Sequence, residues 1–341
     1  MSLIADAQSA DTQFHEVPII DLSQLSSKDP DARQALVAAI REACIRVGFF
    51  YGAFLVSNHG IPEETIEGAK EAAKRFFSLP LEKKMEIENK KQPNFKGYSP
   101  LFSGKNDPYG AADLQEGFEF GWEPLEGTTD EGNKEYDNVS GAMAGGNVWP
   151  SPNDAAGFRE AALKYYYAAT ALGKTMFPLF AQAVDAPADF FDDKTKHSAA
   201  LMRLIHYPPQ TGDVDDRTMG IGAHTDWEIF TILWQQPGIQ ALQVLNSSNE
   251  WVNAPPIPGT LVINIGDELA RMTNGIFKST VHRAVNRSGV ERYSIPLFFG
   301  IDFNTPLEPI PTCVSAERPF KYEIITAGEY IKSRLQATYN H

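Results

Sequence analysis

Cysteine is scarce in this chain. Its 341 residues include two, Cys44 and Cys313, too few for a disulfide framework, which suits a reducing compartment and two small buried thiols. Long apolar runs are also missing, and no stretch approaches the ~20 residues of a membrane-spanning helix. The opening Met1-Ser2-Leu3-Ile4-Ala5-Asp6 has neither the basic start nor the apolar middle of a signal peptide. These absences predict a cytoplasmic protein with no membrane partner. Positive charge is in deficit, with 30 Lys and Arg against 44 Asp and Glu and a formal net charge of −14. That balance repels polyphosphates, and no basic stripe interleaved with aromatics offsets it, so a small molecule rather than nucleic acid is the expected partner. Internal repeats and low-complexity tracts are absent too, and nothing fixes the oligomeric state.

What is present suffices for one large core: 43% of residues are hydrophobic and 11% aromatic. Residues 1–16 read as a polar, loosely held arm. Residues 31–47 and 63–78 have helical spacing, with Leu36, Ala39, Ile40, Ala43, Cys44 and Val47 on one face of the first. Residues 103–157 are rich in Gly, Asp, Glu, Asn and Pro, a long loop region of the kind that forms lids or binding elements. Residues 155–185 return to helical spacing, with Tyr165, Tyr166 and Tyr167 mostly core or interface. Short strands and turns follow from about residue 199 to 303, and a helix over roughly 317–339 closes the chain.

The residues that carry chemistry fall in the strand-rich half. His224-Thr225-Asp226 and His282 make two imidazoles and one carboxylate, enough to hold three corners of an octahedral Fe(II) and leave three open. Positions i and i+2 of a strand face the same side, so His224 with Asp226, and Arg292 with Ser294, are each expected to point into one cavity. His282 lies in Ser279-Thr280-Val281-His282-Arg283-Ala284-Val285, a buried-strand composition, after the Asn274-Gly275 pair typical of a tight reversal. A lone His-x-Asp is common by chance; the second histidine and the Arg-x-Ser pair give the pattern its meaning.

These motifs, in order, resemble the 2-oxoglutarate- and Fe(II)-dependent dioxygenases of the isopenicillin N synthase-like class, over nearly the whole chain. Val17-Pro18-Ile19-Ile20-Asp21-Leu22 is similar to that family's opening strand. Gly48-Phe49-Phe50-Tyr51 and Val56-Ser57-Asn58-His59-Gly60-Ile61-Pro62 are similar to its next strand and turn, with Gly52-Ala53-Phe54 inserted between them. Phe76-Phe77-Ser78-Leu79-Pro80, Glu82-Lys83-Lys84, Gly97-Tyr98-Ser99, Glu116-Gly117-Phe118-Glu119-Phe120-Gly121 and Trp149-Pro150 resemble further landmarks. Arg203-Leu204-Ile205-His206-Tyr207-Pro208 stands where the family's barrel begins, and Val262-Ile263-Asn264-Ile265-Gly266-Asp267 precedes the second histidine.

The resemblance implies an α+β chain with a mainly β core. That core is a double-stranded β-helix, or jelly roll, braced by N-terminal helices and a C-terminal helix. Residues 1–195 would pack on a catalytic core of residues 196–341 as one structural unit. It also implies Fe(II) on His224, Asp226 and His282, O2 as oxidant, and 2-oxoglutarate held by Arg292, Ser294 and Tyr207. The co-substrate would leave as succinate and CO2, while an unactivated C–H bond of a small molecule is hydroxylated, desaturated or closed into a ring, in specialised metabolism.

Arg203, Tyr98, Trp227, Phe230, Leu233 and Phe298 are candidate substrate contacts, although each aromatic is as readily plain core. Arg203, an arginine in an apolar strand, needs a polar partner of some kind. His206 reads as a hydrogen-bonded histidine and His59 as part of a structural turn. Two alternatives stay open. One is an oxidase in which Arg292 and Ser294 hold the substrate's own carboxylate without 2-oxoglutarate. The other is a catalytically silent barrel that binds a ligand or partner.

Overall fold

A computed structural model describes residues 3, 7, 13–27, 29–53, 61–107, 110–123, 145–196, 199–210 and 219–339. Among these residues, twelve strands form two sheets. The large one joins β1 (Ile19–Asp21), β2 (Phe49–Ala53), β10 (Thr260–Ile265), β7 (Phe230–Gln235), β12 (Arg292–Phe299), β5 (Leu201–Tyr207), β4 (Glu116–Gly121) and β3 (Gly97–Ser99), in that spatial order. The small one joins β6 (Ile221–His224), β11 (His282–Ala284), β8 (Leu242–Leu245) and β9 (Trp251–Asn253). Apart from the parallel β1–β2 edge, neighbours run antiparallel. This is the jelly roll, and the N-terminal region supplies four of the large sheet's eight strands.

Strand parity places everything that follows. On β12, Arg292, Ser294, Pro296 and Phe298 face the space between the sheets, while Phe299 turns outward to meet Phe177 and Phe230. On β5, Leu201, Arg203, Ile205 and Tyr207 face inward, while Met202 and Leu204 join the outer core. Helices cover that outer face: α1 (Pro30–Arg46), α2 (Glu63–Phe77) and α4 (Phe158–Ala183), with the short α3 (Leu81–Met85) beside them. α1 starts where Asp29 accepts a hydrogen bond from the backbone N–H of Asp31 and Pro30 occupies the first turn. Gly173 lets α4 come close to β12, since a Cβ there would stand 2.5 Å from the Phe299 ring.

Several expectations change. The closing helix, α6, runs Ala327–Tyr339, starting well after the position that the spacing suggested. Pro319 and the β-branched Ile324-Ile325-Thr326 disfavour helix, and a capping box sets the boundary instead. Thr326 Oγ1 accepts from the Glu329 N–H, and Glu329 Oε2 accepts from the Thr326 N–H. The N-terminal arm is tied down in part: Leu3 and Phe14 are buried, and the Phe14 carbonyl accepts from Asn246. Gly52 and Ala53 simply lengthen β2. His59 and most of the Asn-His-Gly turn lie outside the described residues, as does the middle of the 103–157 region. Both cysteines are buried and free.

Candidate active site

His224 ends β6 and His282 begins β11, and the antiparallel register sets them directly opposite each other. Their rings are 4.3 Å apart, centre to centre. Each ring fixes its tautomer through the backbone: Nδ1 of His224 lies 2.8 Å from the Gly222 carbonyl, and Nδ1 of His282 lies 3.1 Å from that of Thr280. Both Nε2 lone pairs are thereby turned to the same point. Asp226 meets them there, with Oδ1 3.6 Å from each Nε2.

Asp226 is not on the strand, contrary to the strand-pair expectation for it and His224. It sits in the turn from β6 to β7. Three backbone hydrogen bonds from the entrance to α5 (Asp267–Met272) hold that turn. The N–H groups of Gly266, Asp267 and Glu268 donate to the carbonyls of Ile229, Asp226 and Trp227. The outer oxygen, Oδ2, accepts from Thr231 Oγ1 at 2.5 Å and Asn264 Nδ2 at 2.7 Å, leaving Oδ1 for the two imidazoles. Thr231 and Asn264 are cross-strand partners on β7 and β10. Burial opposes the carboxylate charge, but the imidazoles and these two donors outweigh it and hold the pKa below the usual range. Burial, then the charge of His224, lowers His282 to about 4, which keeps it a neutral ligand. Among the described residues this is the one cluster of His, Cys and acidic groups within metal-binding reach, its ligand atoms all within 4.8 Å of one another. A ferrous ion fits the donor set.

Two cavities meet at this triad. The deeper polar end of one is Arg292, 1% exposed, with Ser294, Tyr207 and Thr231 around it. Arg292 lies over the Tyr207 ring at 4.8 Å, and its Nη2 donates to Gln235 Oε1 at 3.3 Å. Its Nε and Nη1 N–H groups make no hydrogen bond among the described residues, and burial lowers its pKa. A buried guanidinium facing a cavity with donors to spare fits a carboxylate arriving from outside the chain.

The other cavity is lined by His224, Asp226, Arg203, Trp227 and Phe298, so three proposed substrate contacts do face it. Tyr98 and Phe230 do not. Both point to the outer face: the Tyr98 hydroxyl donates to Glu116 Oε2 at 2.6 Å, and Phe230 packs on Phe177, Phe180 and Phe299. Leu233 faces inward but lines the Arg292 cavity. His206 is likewise outward, 2.8 Å from Glu116 Oε1 and stacked on Tyr293. Residues not picked out from the sequence include Glu119 and Glu228 in the second cavity, the Asp226 supports Thr231 and Asn264, and Ile331 and Leu335 from α6. Asn264 in Val262-Ile263-Asn264-Ile265 carried the same signal as Arg203, a polar side chain in an apolar strand.

Two facing sheets with a two-histidine, one-carboxylate triad and a buried arginine define a non-haem iron oxygenase of the jelly-roll class. Family models agree along the chain: residues 17–152 match the N-terminal region of the non-haem dioxygenase in morphine synthesis, and residues 198–301 match the 2OG-Fe(II) oxygenase superfamily. A 2-oxoglutarate-Fe(II) type oxidoreductase of Emericella nidulans is 37% identical over 94% of this chain and 90% of its own. A homoarginine-6-hydroxylase of Glycine max is 33% identical over 95% and 97%. The crystal structure of a full-length Neurospora crassa protein in complex with alpha-KG superposes with TM-score 0.80 at 30% identity, covering 94% of this chain and 96% of that one. The chain belongs to the 2-oxoglutarate- and Fe(II)-dependent oxygenases. It is a dioxygenase that uses Fe(II), 2-oxoglutarate and O2 to oxidise a small molecule. Among the described residues no helix is long and apolar enough to cross a membrane.

Proposed function

We propose that His224, Asp226 and His282 hold the Fe(II), and that Arg292 and Ser294, with Tyr207 beside them, hold the far carboxylate of 2-oxoglutarate. The observation that carries this reading is the pair of unsatisfied Arg292 N–H groups facing a cavity that also reaches all three triad residues. Bound iron supplies oxygen activation, with conversion of 2-oxoglutarate to succinate and CO2 and oxidation of a substrate C–H bond. The chain's own residues bind and orient. Arg292 fixes one end of the co-substrate through charge-assisted hydrogen bonds, each worth ~1.5–3 kcal/mol. Thr231 and Asn264 keep Asp226 aimed at the imidazoles. Arg203, Trp227 and Phe298 line the place where the target bond is presented, and placement there decides between hydroxylation, desaturation and ring closure.

The Neurospora crassa protein has also been crystallised with alpha-KG and thymine, and the Glycine max relative is a homoarginine-6-hydroxylase. Both favour a compact, nitrogen-containing metabolite here. A role in specialised metabolism, which rests on the family resemblance alone, and a cytoplasmic location, supported by the two buried free thiols, complete the reading. Residues 1–195 and 196–341 act as one unit in it, a view supported by the large sheet to which both contribute strands. The alpha-KG complex of the Neurospora crassa protein favours 2-oxoglutarate over the oxidase alternative.

Oxygen-free titration with Fe(II) and 2-oxoglutarate tests the roles through the weak visible charge-transfer band of the chelate. The band is expected in the parent protein. It should be lost in His282→Ala and Asp226→Ala, and should need about 10-fold or more extra 2-oxoglutarate in Arg292→Ala. Normal iron binding without a band would refute the co-substrate assignment, and iron binding that survives Asp226→Ala would refute the triad.

A further inference from the structure

The cavity beside the triad has a polar wall that iron and 2-oxoglutarate do not use. Arg203 and Glu119 are direct cross-strand partners on β5 and β4, and both face this cavity. The Arg203 guanidinium lies against Gly117, where a Cβ would come within 2.5 Å of Nε, so the glycine creates the notch in which it rests. Glu228 reaches the same cavity from the turn that carries Asp226. It is 5% exposed, and its Oε2 is buried without a hydrogen-bond partner among the described residues. Its place is built as well: Gly300 leaves room for the carboxyl, a Cβ there standing 3.3 Å from Oε2, and its backbone carbonyl abuts Gly266.

A carboxyl group keeps an acceptor lone pair in either protonation state, and a buried acceptor without a donor costs about 1–3 kcal/mol. The acids around it, Glu268, Glu119 and Asp226, all oppose its ionisation, and none of them hydrogen-bonds to Oε2. The cavity that Glu228 lines is the side open to a donor from outside the chain. Arg203, whose charge acts on Glu119 across the strands, presents only donors to the same wall, since a guanidinium never accepts. Trp227, Ile331 and Leu335 give the remaining wall an apolar character suited to a small hydrocarbon frame.

We propose that Glu228 is a specificity-determining residue whose carboxyl accepts a hydrogen bond from a substrate N–H, while Arg203 takes a carbonyl or carboxylate oxygen of the same molecule. The substrate class is then a compact amide, lactam or ureide. This rests on the oxygenase reading above, which places the substrate in this cavity. A site built around such a contact rejects analogues that lack the donor, because its own polar group is then stranded.

The test uses the full-length protein with Fe(II) and 2-oxoglutarate, kept free of oxygen for binding. Uracil, hydantoin and 2-piperidone serve as probes, each beside its fully N-methylated counterpart, with benzoate as a carboxylate lacking N–H. Affinity is read by calorimetry and thermal shift, and turnover separately from succinate release. N–H probes are expected to bind, with N-methylation weakening them by about 10- to 100-fold. Glu228→Leu should weaken the N–H probes similarly and abolish their advantage over the methylated forms, raising KM more than it lowers kcat. Glu228→Gln, which keeps an acceptor oxygen, should retain most of the discrimination. Should Glu228→Leu fail to fold, the methylated pairs on the parent protein decide the matter alone. The inference is overturned if no N–H probe binds, if methylated probes or benzoate bind equally well, or if Glu228→Leu changes only the melting temperature. A parent protein that binds no 2-oxoglutarate would overturn the underlying function instead.

Discussion

The carboxylate of Asp226 works because one of its oxygens is busy. Thr231 and Asn264 both donate to Oδ2, so Thr231→Val or Asn264→Leu should leave the three ligands in place yet weaken Fe(II) binding about 10- to 100-fold, measured by competition with a chelator. Glu268 shows the reverse situation. It is 1% exposed, neither oxygen has a partner among the described residues, and burial, then Asp267, pushes its pKa well above the usual carboxylate range. A raised folded-state pKa gives a contribution to stability that is full below the unfolded pKa and lost as pH rises through the folded one. Glu268→Met should therefore stabilise the protein by about 1–3 kcal/mol at pH 8 and by less at pH 5, checked by denaturant unfolding at both values. At this scale the sequence was informative where a residue type was out of place. Two histidines with a carboxylate, an arginine amid apolar residues and an Arg-x-Ser pair all led to a cavity. Tyr98 and Phe230 misled because adjacency to a motif says nothing of parity: the inward residues of β7 are Thr231, Leu233 and Gln235, and Phe230 is out of step with them.

Elements bring these residues together through a few backbone contacts. The entrance to α5 is pressed so closely on the Asp226 turn that a Cβ on Gly266 would lie 2.1 Å from the Glu228 carbonyl. Gly266→Ala must push the two apart. It is expected to cost about 1–3 kcal/mol in stability and to reduce iron affinity as well, and a variant with parental iron binding would show that the turn holds its shape unaided. The next residue, Asp267, accepts from Thr225 between the two ligands, from Ser279 ahead of His282, and from Tyr330 on α6. One carboxylate thus fastens three separate segments around the metal position. Helix α1 was legible from its helical spacing and β12 from the Arg-x-Ser pair, while β2 and β5 were legible through their resemblance to family landmarks. The turn bearing Asp226 and the late start of α6 were not, because long-range backbone contacts and a capping box decide them rather than local hydrophobic spacing.

Across the whole molecule, a helical layer seals one face of the large sheet while the other faces the ligands. Gly173 marks how tight that seal is. Alanine there gains ~1 kcal/mol in helix propensity but drives a methyl group into Phe299, on the strand that carries Arg292. Overpacking of this kind typically costs about 1–3 kcal/mol, so Gly173→Ala should lower the melting temperature on balance and raise the KM for 2-oxoglutarate by displacing β12. The two cavities also share a partition: Ile221, His224, Asp226 and Phe298 line both. Occupants on either side of a common wall are thermodynamically linked. Whatever factor bound 2-oxoglutarate imposes on the dissociation constant of the substrate, the substrate must impose on that of 2-oxoglutarate.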